Sequence, residues 1–184
     1  MADFPKLPHD FTEHTLSSEQ IFKGVLLDVR RDMVRLPNGK TATREFIIHN
    51  GATAVIPLLD KETIIMEYQF RYPNHQHYYE IPAGKLEVGE PALESAQREL
   101  LEETGYVAAN WRHLTTLDMC ISYSTEQIAF FVAEGLTFDA HKRDEEEFLE
   151  TVPVPLKQAY QWIENGVIND TKTVAGLLWL KAFG

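Results

Sequence analysis

Carboxylates crowd into one short stretch, residues 84–106, which reads GKLEVGEPALESAQRELLEETGY. Glu99 and Glu103 are four residues apart, so a helix would place them side by side. Like charges that close disfavour ionisation, and a hard cation such as Mg²⁺, which prefers oxygen ligands, relieves the repulsion. The stretch therefore indicates a divalent-cation site, and a cation held in this way usually serves phosphate.

The same stretch carries the signals of the helix that must position these acids. Pro91 suits a first helical turn and Gly105 suits the position just past a helix end, so we predict a helix from about Pro91 to Thr104. At about 100° per residue, its apolar residues form one arc that should face the core, with Glu99 and Glu103 at the margin. That arc consists of Ala92, Leu93, Ala96, Leu100 and Leu101.

An acidic helix also has a plainer interpretation, as a solvated surface helix in which Glu94 and Arg98 form an ion pair one turn apart. For an arbitrary acidic helix that interpretation is favoured, because most charge runs lie on the surface. The full spacing is more specific, since two glycines bracket it and Arg98 precedes three placed glutamates. It therefore favours the cation site.

Written as defined positions, the stretch is G-x5-E-x7-R-E-U-x-E-E-x-G-U, where U is a bulky apolar residue. This spacing resembles the Nudix box at every fixed position, with Tyr106 in place of the last aliphatic residue. The resemblance implies hydrolysis of a nucleoside diphosphate linked to another moiety, with Mg²⁺ or Mn²⁺ as the metal. It implies that Glu99 and Glu103 bind the metal and that Glu102 and Arg98 are catalytic residues beside them. It also implies that Glu90 supports the loop and the helix.

The bulk composition narrows the class of protein further. The chain has 184 residues and a net charge of −11, from 28 acids against 17 Lys+Arg, which argues against a nucleic-acid scaffold because such proteins neutralise phosphates with basic residues. No segment has the length and apolarity of a membrane span. The single cysteine, Cys120, excludes an intrachain disulfide, and we expect a buried, inert thiol. Without an evident signal peptide, we expect a cytoplasmic protein.

The order of periodic segments predicts a mixed α/β protein with two parts. Residues 1–50 read as an N-terminal antiparallel β extension and residues 51–184 as the catalytic domain, for which the resemblance implies an α/β/α sandwich around a mixed sheet. A small sheet alone is marginally stable, so a partner subunit is a candidate to cover it. The alternating stretch 21–36 and the strand-like stretch 41–49 predict an antiparallel hairpin or a three-stranded sheet. Further predicted strands are 52–59, 63–70, 111–118 and 127–133, and the predicted later helices are 156–165 and 171–183.

Several segments outside the box resemble the ADP-ribose pyrophosphatase branch of the family, so that the likeness covers most of residues 20–182. They are Arg44-Glu45 with His49-Asn50-Gly51, Gln69-Phe70-Arg71, Glu80-Ile81-Pro82-Ala83-Gly84, and the stretch from Ala159 through Leu180. The branch implies a homodimer in which the N-terminal sheet is exchanged between subunits. It also implies that the main-chain carbonyl of Ala83 binds metal.

Arg44 and Arg71 are candidates for gripping phosphate, because a guanidinium fork matches phosphate oxygens bidentately. The alternative for each is a surface ion pair. The acidic run 144–147 has a plain interpretation as a solvated turn, but by position in the branch Glu145 matches a catalytic base and Glu147 a further metal ligand. A register error of one residue would bring Glu146 into one of these roles.

The loop that follows the box, residues 120–126, departs from the branch, whose members carry Ser-Pro-Gly-type residues there. Ser122 and Tyr123, like Ser124, are candidates for contact with the sugar or phosphate. Glu126 could act in the site or anchor the loop. Because of this departure, a sugar other than ribose fits the sequence as well.

The sequence therefore predicts hydrolysis of the pyrophosphate linkage of a nucleoside diphosphate sugar, with ADP-ribose giving AMP and ribose 5-phosphate. Two or more Mg²⁺ (or Mn²⁺) ions would be held by Glu99, Glu103, Glu147 and the Ala83 carbonyl. The alternatives are a pyrophosphatase for GDP- or UDP-sugars, another Nudix substrate class such as coenzyme A or dinucleoside polyphosphates, and a non-catalytic Nudix-fold nucleotide sensor.

Overall fold

The computed structural model describes residues 9–139 and 148–184. The chain divides into two compact units. Within the described residues, the first unit comprises 9–49 together with Cys120–Glu126, and the second comprises Asn50–Met119 and the described residues from Gln127 to Gly184. The segment 120–126, which the sequence interpretation left in the catalytic part, thus belongs to the unit of the N-terminal sheet. The predicted domain roles stay predictions.

The first unit is built on a three-stranded antiparallel sheet in the order β1-β2-β3, comprising β1 (His14–Lys23), β2 (Asp28–Arg35) and β3 (Thr41–Ile48). Of the two predicted forms, a hairpin or a three-stranded sheet, the structure has the three-stranded sheet. The alternating stretch 21–36 is divided between β1 and β2, because the Gly24 N–H donates to the Leu27 carbonyl at 2.8 Å and the chain turns there.

The outer strand of this unit is solvent-exposed along its whole length. All ten residues of β1 are exposed, although several of them are apolar. The turn that follows β1 adds further exposed apolar side chains. The exposed set includes Leu16, Ile21, Phe22, Val25, Leu26 and Leu27. A cluster of this kind is larger than singly scattered surface residues and marks a candidate interface.

The described part of the second unit contains two sheets and three helices. One sheet has the order β7-β4-β9-β8, in which β4 and β9 run parallel and the other pairs antiparallel; the other sheet has the order β10-β5-β6. The strands are β4 (Ala52–Pro57), β5 (Thr63–Arg71), β6 (Gln76–Glu80), β7 (Ala83–Lys85), β8 (Tyr106–Asp118), β9 (Gln127–Phe138) and β10 (Leu149–Pro155). The helices are α1 (Ala92–Thr104), α2 (Leu156–Glu164) and α3 (Thr171–Phe183), and one 3₁₀ turn covers Tyr72–Asn74.

Strand β4 shows why this unit forms a layered sandwich. All of its residues are buried, as expected for a strand covered on both faces. Val55 belongs to a cluster with Ala96 and Leu100 of α1, whereas Ile56 belongs to a second cluster that includes residues of α2 and α3. Since neighbouring residues point to opposite faces, helices lie on both sides of the mixed sheet, and the predicted fold class is confirmed.

Helix α1 has the bounds that its end signals predicted. Pro91 is its N-cap, and Gly105 ends it with φ 76°, in the left-handed region that favours glycine. No helix among the described residues is both long and apolar enough to cross a membrane. The prediction for the cysteine was wrong, because Cys120 is exposed in the loop that follows β8.

Candidate active site

Helix α1 and strand β7 meet through two acidic side chains. Glu103 Oε2 accepts a hydrogen bond of 3.0 Å from the Ala83 N–H. Glu99 lies so close to Gly84 that a Cβ on Gly84 would be 1.8 Å from Glu99 Oε1. Only glycine permits this approach. Both side chains are buried, with 8% of Glu99 and 6% of Glu103 exposed. The four-residue spacing on α1 and the missing side chain at Gly84 together bring the two acids to the same part of β7.

Arg98 holds the acidic groups of the helix in place. Its Nε and Nη2 donate to Glu90 at 3.0 and 3.1 Å, and its Nη1 donates to Glu99 at 2.8 Å and to Glu102 at 3.0 Å. These bonds, foremost that with Glu90, raise the pKa of the Arg98 guanidinium above its ordinary value. Within the described residues, Arg98 therefore pairs with these three acids and not with Glu94, the partner in the surface-helix interpretation.

Glu90 joins the loop to the helix. In addition to the two bonds from Arg98, its Oε2 accepts a hydrogen bond of 3.0 Å from the Glu87 N–H. The Arg98 bonds first, and then the main-chain bond from Glu87, lower the pKa of Glu90 from 4.5 to about 2. The carboxylate is therefore charged at neutral pH, and it acts as a clamp across the loop that precedes α1.

The structure adds a third buried acid that the sequence interpretation did not single out. Glu67, on β5, has no exposed surface, and its side chain is within hydrogen-bond reach of the Glu103 side chain. Burial raises the pKa of the Glu67 carboxyl from 4.5 to about 7. The available signal was an ionisable residue inside the apolar run Thr63–Phe70, since glutamate is almost never fully buried unless it is paired.

The residues around Gly84 fit a hard divalent cation. The donor set is made of carboxylate and carbonyl oxygens, which Mg²⁺ and Mn²⁺ prefer, and Glu67 Oε1 has no hydrogen-bond partner within the described residues. In residues 9–139 and 148–184, no three acidic, histidine or cysteine side chains form a metal-binding group by themselves. A main-chain oxygen such as that of Ala83, or the predicted ligand Glu147, would complete the set.

Arg71 lies at the wall of a polar cavity of about 330 Å³. Its Nε and Nη2 each donate to Glu80 at 2.8 Å. Glu80 also accepts a hydrogen bond from Lys172, which in turn pairs with Asp170 at 3.1 Å. Burial by itself would raise the pKa of Glu80, but the hydrogen bonds from Arg71 and Lys172 outweigh it and lower that pKa. The buried Glu80 carboxylate thus holds Arg71 through Nε and Nη2, and Arg71 Nη1 takes no part in that ion pair.

The predicted site residues of the first unit have their own partners. Arg44 forms a two-bond ion pair with Glu13, at 2.8 and 2.5 Å, which matches the surface-pair alternative. Glu126 Oε1 lies 3.8 Å from His49 Nε2, and its N–H donates to the Ser124 hydroxyl, so Glu126 is tied into the loop. Ser122 and Tyr123 are exposed in the same loop.

The predicted site residues therefore fall into three groups. Ala83, Arg98, Glu99, Glu102 and Glu103 come together around β7 and α1, and Arg71 belongs to the same unit. Arg44, Ser122, Tyr123 and Glu126 belong to the first unit. Glu145 and Glu147, with their neighbour Glu146, lie outside the described residues.

A mixed sheet lies between layers of helices, and buried carboxylates of α1 pack against Gly84 of β7. This is the architecture of a Nudix hydrolase. Comparison with protein families agrees. The sequence model described as NUDIX domain matches residues 49–176, more than half of the chain. The chain therefore belongs to the Nudix family, and it is a hydrolase of that family. A second model, described as nucleoside diphosphate sugar hydrolase N-terminal domain, matches residues 13–47.

Individual proteins are similar over almost the whole chain. An ADP-ribose pyrophosphatase of Bacillus subtilis (strain 168) is 41% identical over 171 residues, covering 92% of each chain. A methanol dehydrogenase activator of Bacillus methanolicus is 40% identical, covering 93% of this chain and 94% of its own. A crystal structure described as an ADP compounds hydrolase superposes with a TM-score of 0.86 at 24% identity, covering 95% of this chain and 96% of its own, and that likeness shows the fold alone.

Proposed function

We propose that this protein hydrolyses the pyrophosphate linkage of a nucleoside diphosphate sugar, and that ADP-ribose, cleaved to AMP and ribose 5-phosphate, is its preferred substrate. The observation that carries the proposal is the convergence of Glu99 and Glu103 on Gly84 and Ala83. The family model of the N-terminal domain and the Bacillus subtilis relative support the substrate class. Relatives of almost equal similarity carry different names, so identity alone does not select the sugar.

Different residues of the chain have separate roles in the proposed reaction. Glu99, Glu103, the Ala83 carbonyl and Glu147 would hold two or more Mg²⁺ or Mn²⁺ ions, and Arg98 keeps Glu99 and Glu102 oriented toward them. When bound, such ions neutralise phosphate charge and lower the pKa of water.

Glu145 is proposed as the base that removes a proton from the attacking water. The water oxygen bonds to one phosphorus, the bond from that phosphorus to the bridging oxygen breaks, and two phosphomonoesters leave. Arg71 and Arg44 are proposed to bind the phosphates through their guanidinium groups, and Ser122, Tyr123 and Glu126 are proposed to contact the sugar.

A substrate panel tests this proposal. Purified protein with Mg²⁺ is offered ADP-ribose and a series of GDP- and UDP-sugars, and the released phosphomonoesters are measured, with Glu103→Gln as the inactive control. We expect AMP from ADP-ribose with kcat/KM at least about tenfold above the other compounds. Comparable rates on GDP- and UDP-sugars would favour the broader pyrophosphatase. No hydrolysis of any compound, with binding retained, would favour the nucleotide sensor.

We also propose that the protein is a homodimer in which the first unit packs against a second copy. The support is the fully exposed strand β1 and the apolar side chains exposed along it and in the following turn. A cytoplasmic location remains a proposal from the sequence.

A further inference from the structure

Among the described residues, no basic side chain forms an ion pair with Glu67, although Glu67 is fully buried. It lies on β5 between apolar neighbours, with no exposed surface. Its Oε2 accepts one long contact of 3.4 Å from Gln69, and its Oε1 has no hydrogen-bond partner among the described residues. Burying a carboxylate in this way is strongly unfavourable unless a partner compensates.

The basic side chains near Glu67 are committed elsewhere. Arg71 and Lys172 influence it only through longer-range attraction, because their hydrogen bonds go to Glu80, the residue that faces Glu67 across β5 and β6. The side chain that Glu67 does meet is Glu103, which is itself an acid. Two carboxylates in contact, one of them with an unused buried oxygen, form an oxygen-lined place for a positive charge.

We propose that Glu67 is a further ligand of the divalent-cation site, and that Glu67 and Glu103 hold one cation between their carboxylates. This inference rests on the proposed function, since it adds a ligand to that same site. Glu67 reaches the site from β5, whereas Glu99 and Glu103 reach it from α1. The cation would thereby tie the β10-β5-β6 sheet to the helix that carries the box.

Binding of Mn²⁺ alone, measured by electron paramagnetic resonance and by isothermal titration, tests the proposal without any substrate. Glu67→Gln keeps the size of the side chain but removes its charge, and we expect a loss of about tenfold or more in Mn²⁺ affinity for one site. The rise in Tm that Mn²⁺ produces should shrink in parallel. Glu103→Gln is expected to show a loss at least as large.

Glu62→Gln is the matched control. Glu62 is an exposed acid just before β5, so the same change of charge there should leave Mn²⁺ affinity at the wild-type value. Where Glu67→Gln does not fold, Glu67→Asp carries the test. It keeps the charge but withdraws the oxygens by one carbon, and a loss of Mn²⁺ affinity of several fold is the expected result.

Wild-type Mn²⁺ affinity in Glu67→Gln would overturn the proposal. It would show that Glu67 only hydrogen-bonds Glu103, a role that the glutamine amide can take over, and a raised Tm of the metal-free variant would accompany it. Such a result leaves the proposed function intact, because the wild type would still bind Mn²⁺ and hydrolyse its substrate. Failure of the wild type itself to bind Mn²⁺ would overturn both.

Discussion

Arg71 and Glu80, on the neighbouring strands β5 and β6, form an ion pair with two parallel hydrogen bonds of 2.8 Å each. The Glu80 side chain is 3% exposed and the Arg71 side chain 43%. A buried acid therefore fixes the direction of a half-exposed guanidinium. Because Nε and Nη2 are taken up by Glu80, this arrangement suits a residue that presents its remaining nitrogen, Nη1, to a phosphate in a fixed direction.

The first prediction concerns the Arg71 guanidinium. Arg71→Lys keeps the charge but loses the planar geometry, while Lys172 continues to pair with Glu80. We expect KM for the nucleoside diphosphate sugar to rise about tenfold, with kcat changed much less. Steady-state kinetics measures this, with Arg112→Lys, an exposed position on β8, as the matched control. Unchanged KM would remove Arg71 from the substrate site.

Gly84→Ala provides the second prediction. The added Cβ would overlap the Glu99 carboxylate, at 1.8 Å from Oε1, so the acid must leave its present position. We expect kcat/KM to fall by about a hundredfold or more, and circular dichroism to show a folded protein.

Gly89→Ala is the control, because a Cβ there meets nothing within 4 Å. Its φ of 83° costs stability, of order 1 kcal/mol, without contact with Glu99 or Glu103. Wild-type activity in Gly84→Ala would contradict the geometry of the site.

The third prediction concerns the base, Glu145, which lies outside the described residues and is predicted from the sequence alone. Glu145→Gln should slow the chemical step about a hundredfold or more in single-turnover experiments, while Mn²⁺ affinity stays near the wild-type value. The same measurement on Glu146→Gln and Glu126→Gln locates the base if Glu145 is not the residue. Glu126 is the weaker candidate, because its N–H donates to Ser124 and its side chain lies beside His49.

The clamp between Glu90 and Arg98 provides the fourth prediction, a dependence of stability on pH. The pKa of Glu90 falls from 4.5 to about 2 on folding, so the unfolded chain binds more protons between these values. The stabilisation is therefore fully present above about pH 4.5 and is lost as the pH falls toward 2. We expect the Tm of Glu90→Gln to lie below that of the wild type at pH 7, and the difference to shrink as the pH is lowered. A difference that is constant from pH 7 to pH 3 would exclude the charged clamp.

The fifth prediction concerns the homodimer. Light scattering coupled to gel filtration should give twice the chain mass of 21.1 kDa. Val25 lies fully exposed in the turn after β1, so Val25→Glu should leave the fold intact but place a charge in the apolar patch, and we expect the monomer fraction to increase. Val88 is also fully exposed but lies outside the N-terminal sheet, so Val88→Glu should leave the measured molecular mass unchanged. A wild type that is monomeric at every concentration would refute the dimer.

Some elements of the fold were beyond the reach of sequence patterns. β10 was not predicted, because Pro153 and Pro155 argue against a central strand. In the sheet order β10-β5-β6 it is an edge strand, where proline is tolerated because one side of its backbone has no ladder to complete. β7 was missed because it has only three residues, too few for a period of two to appear.

Local signals in the sequence were sufficient for helix α1, for the side-by-side placement of Glu99 and Glu103, and for the family, because spacing along a single helix translates directly into neighbours on its surface. The approach of Gly84 to Glu99, the burial of Glu67 against Glu103, and the chain from Lys172 through Glu80 to Arg71 were decided only by the tertiary structure. These contacts join strands and helices that are distant along the chain. They depend on sheet register and on helix packing, which no single segment encodes.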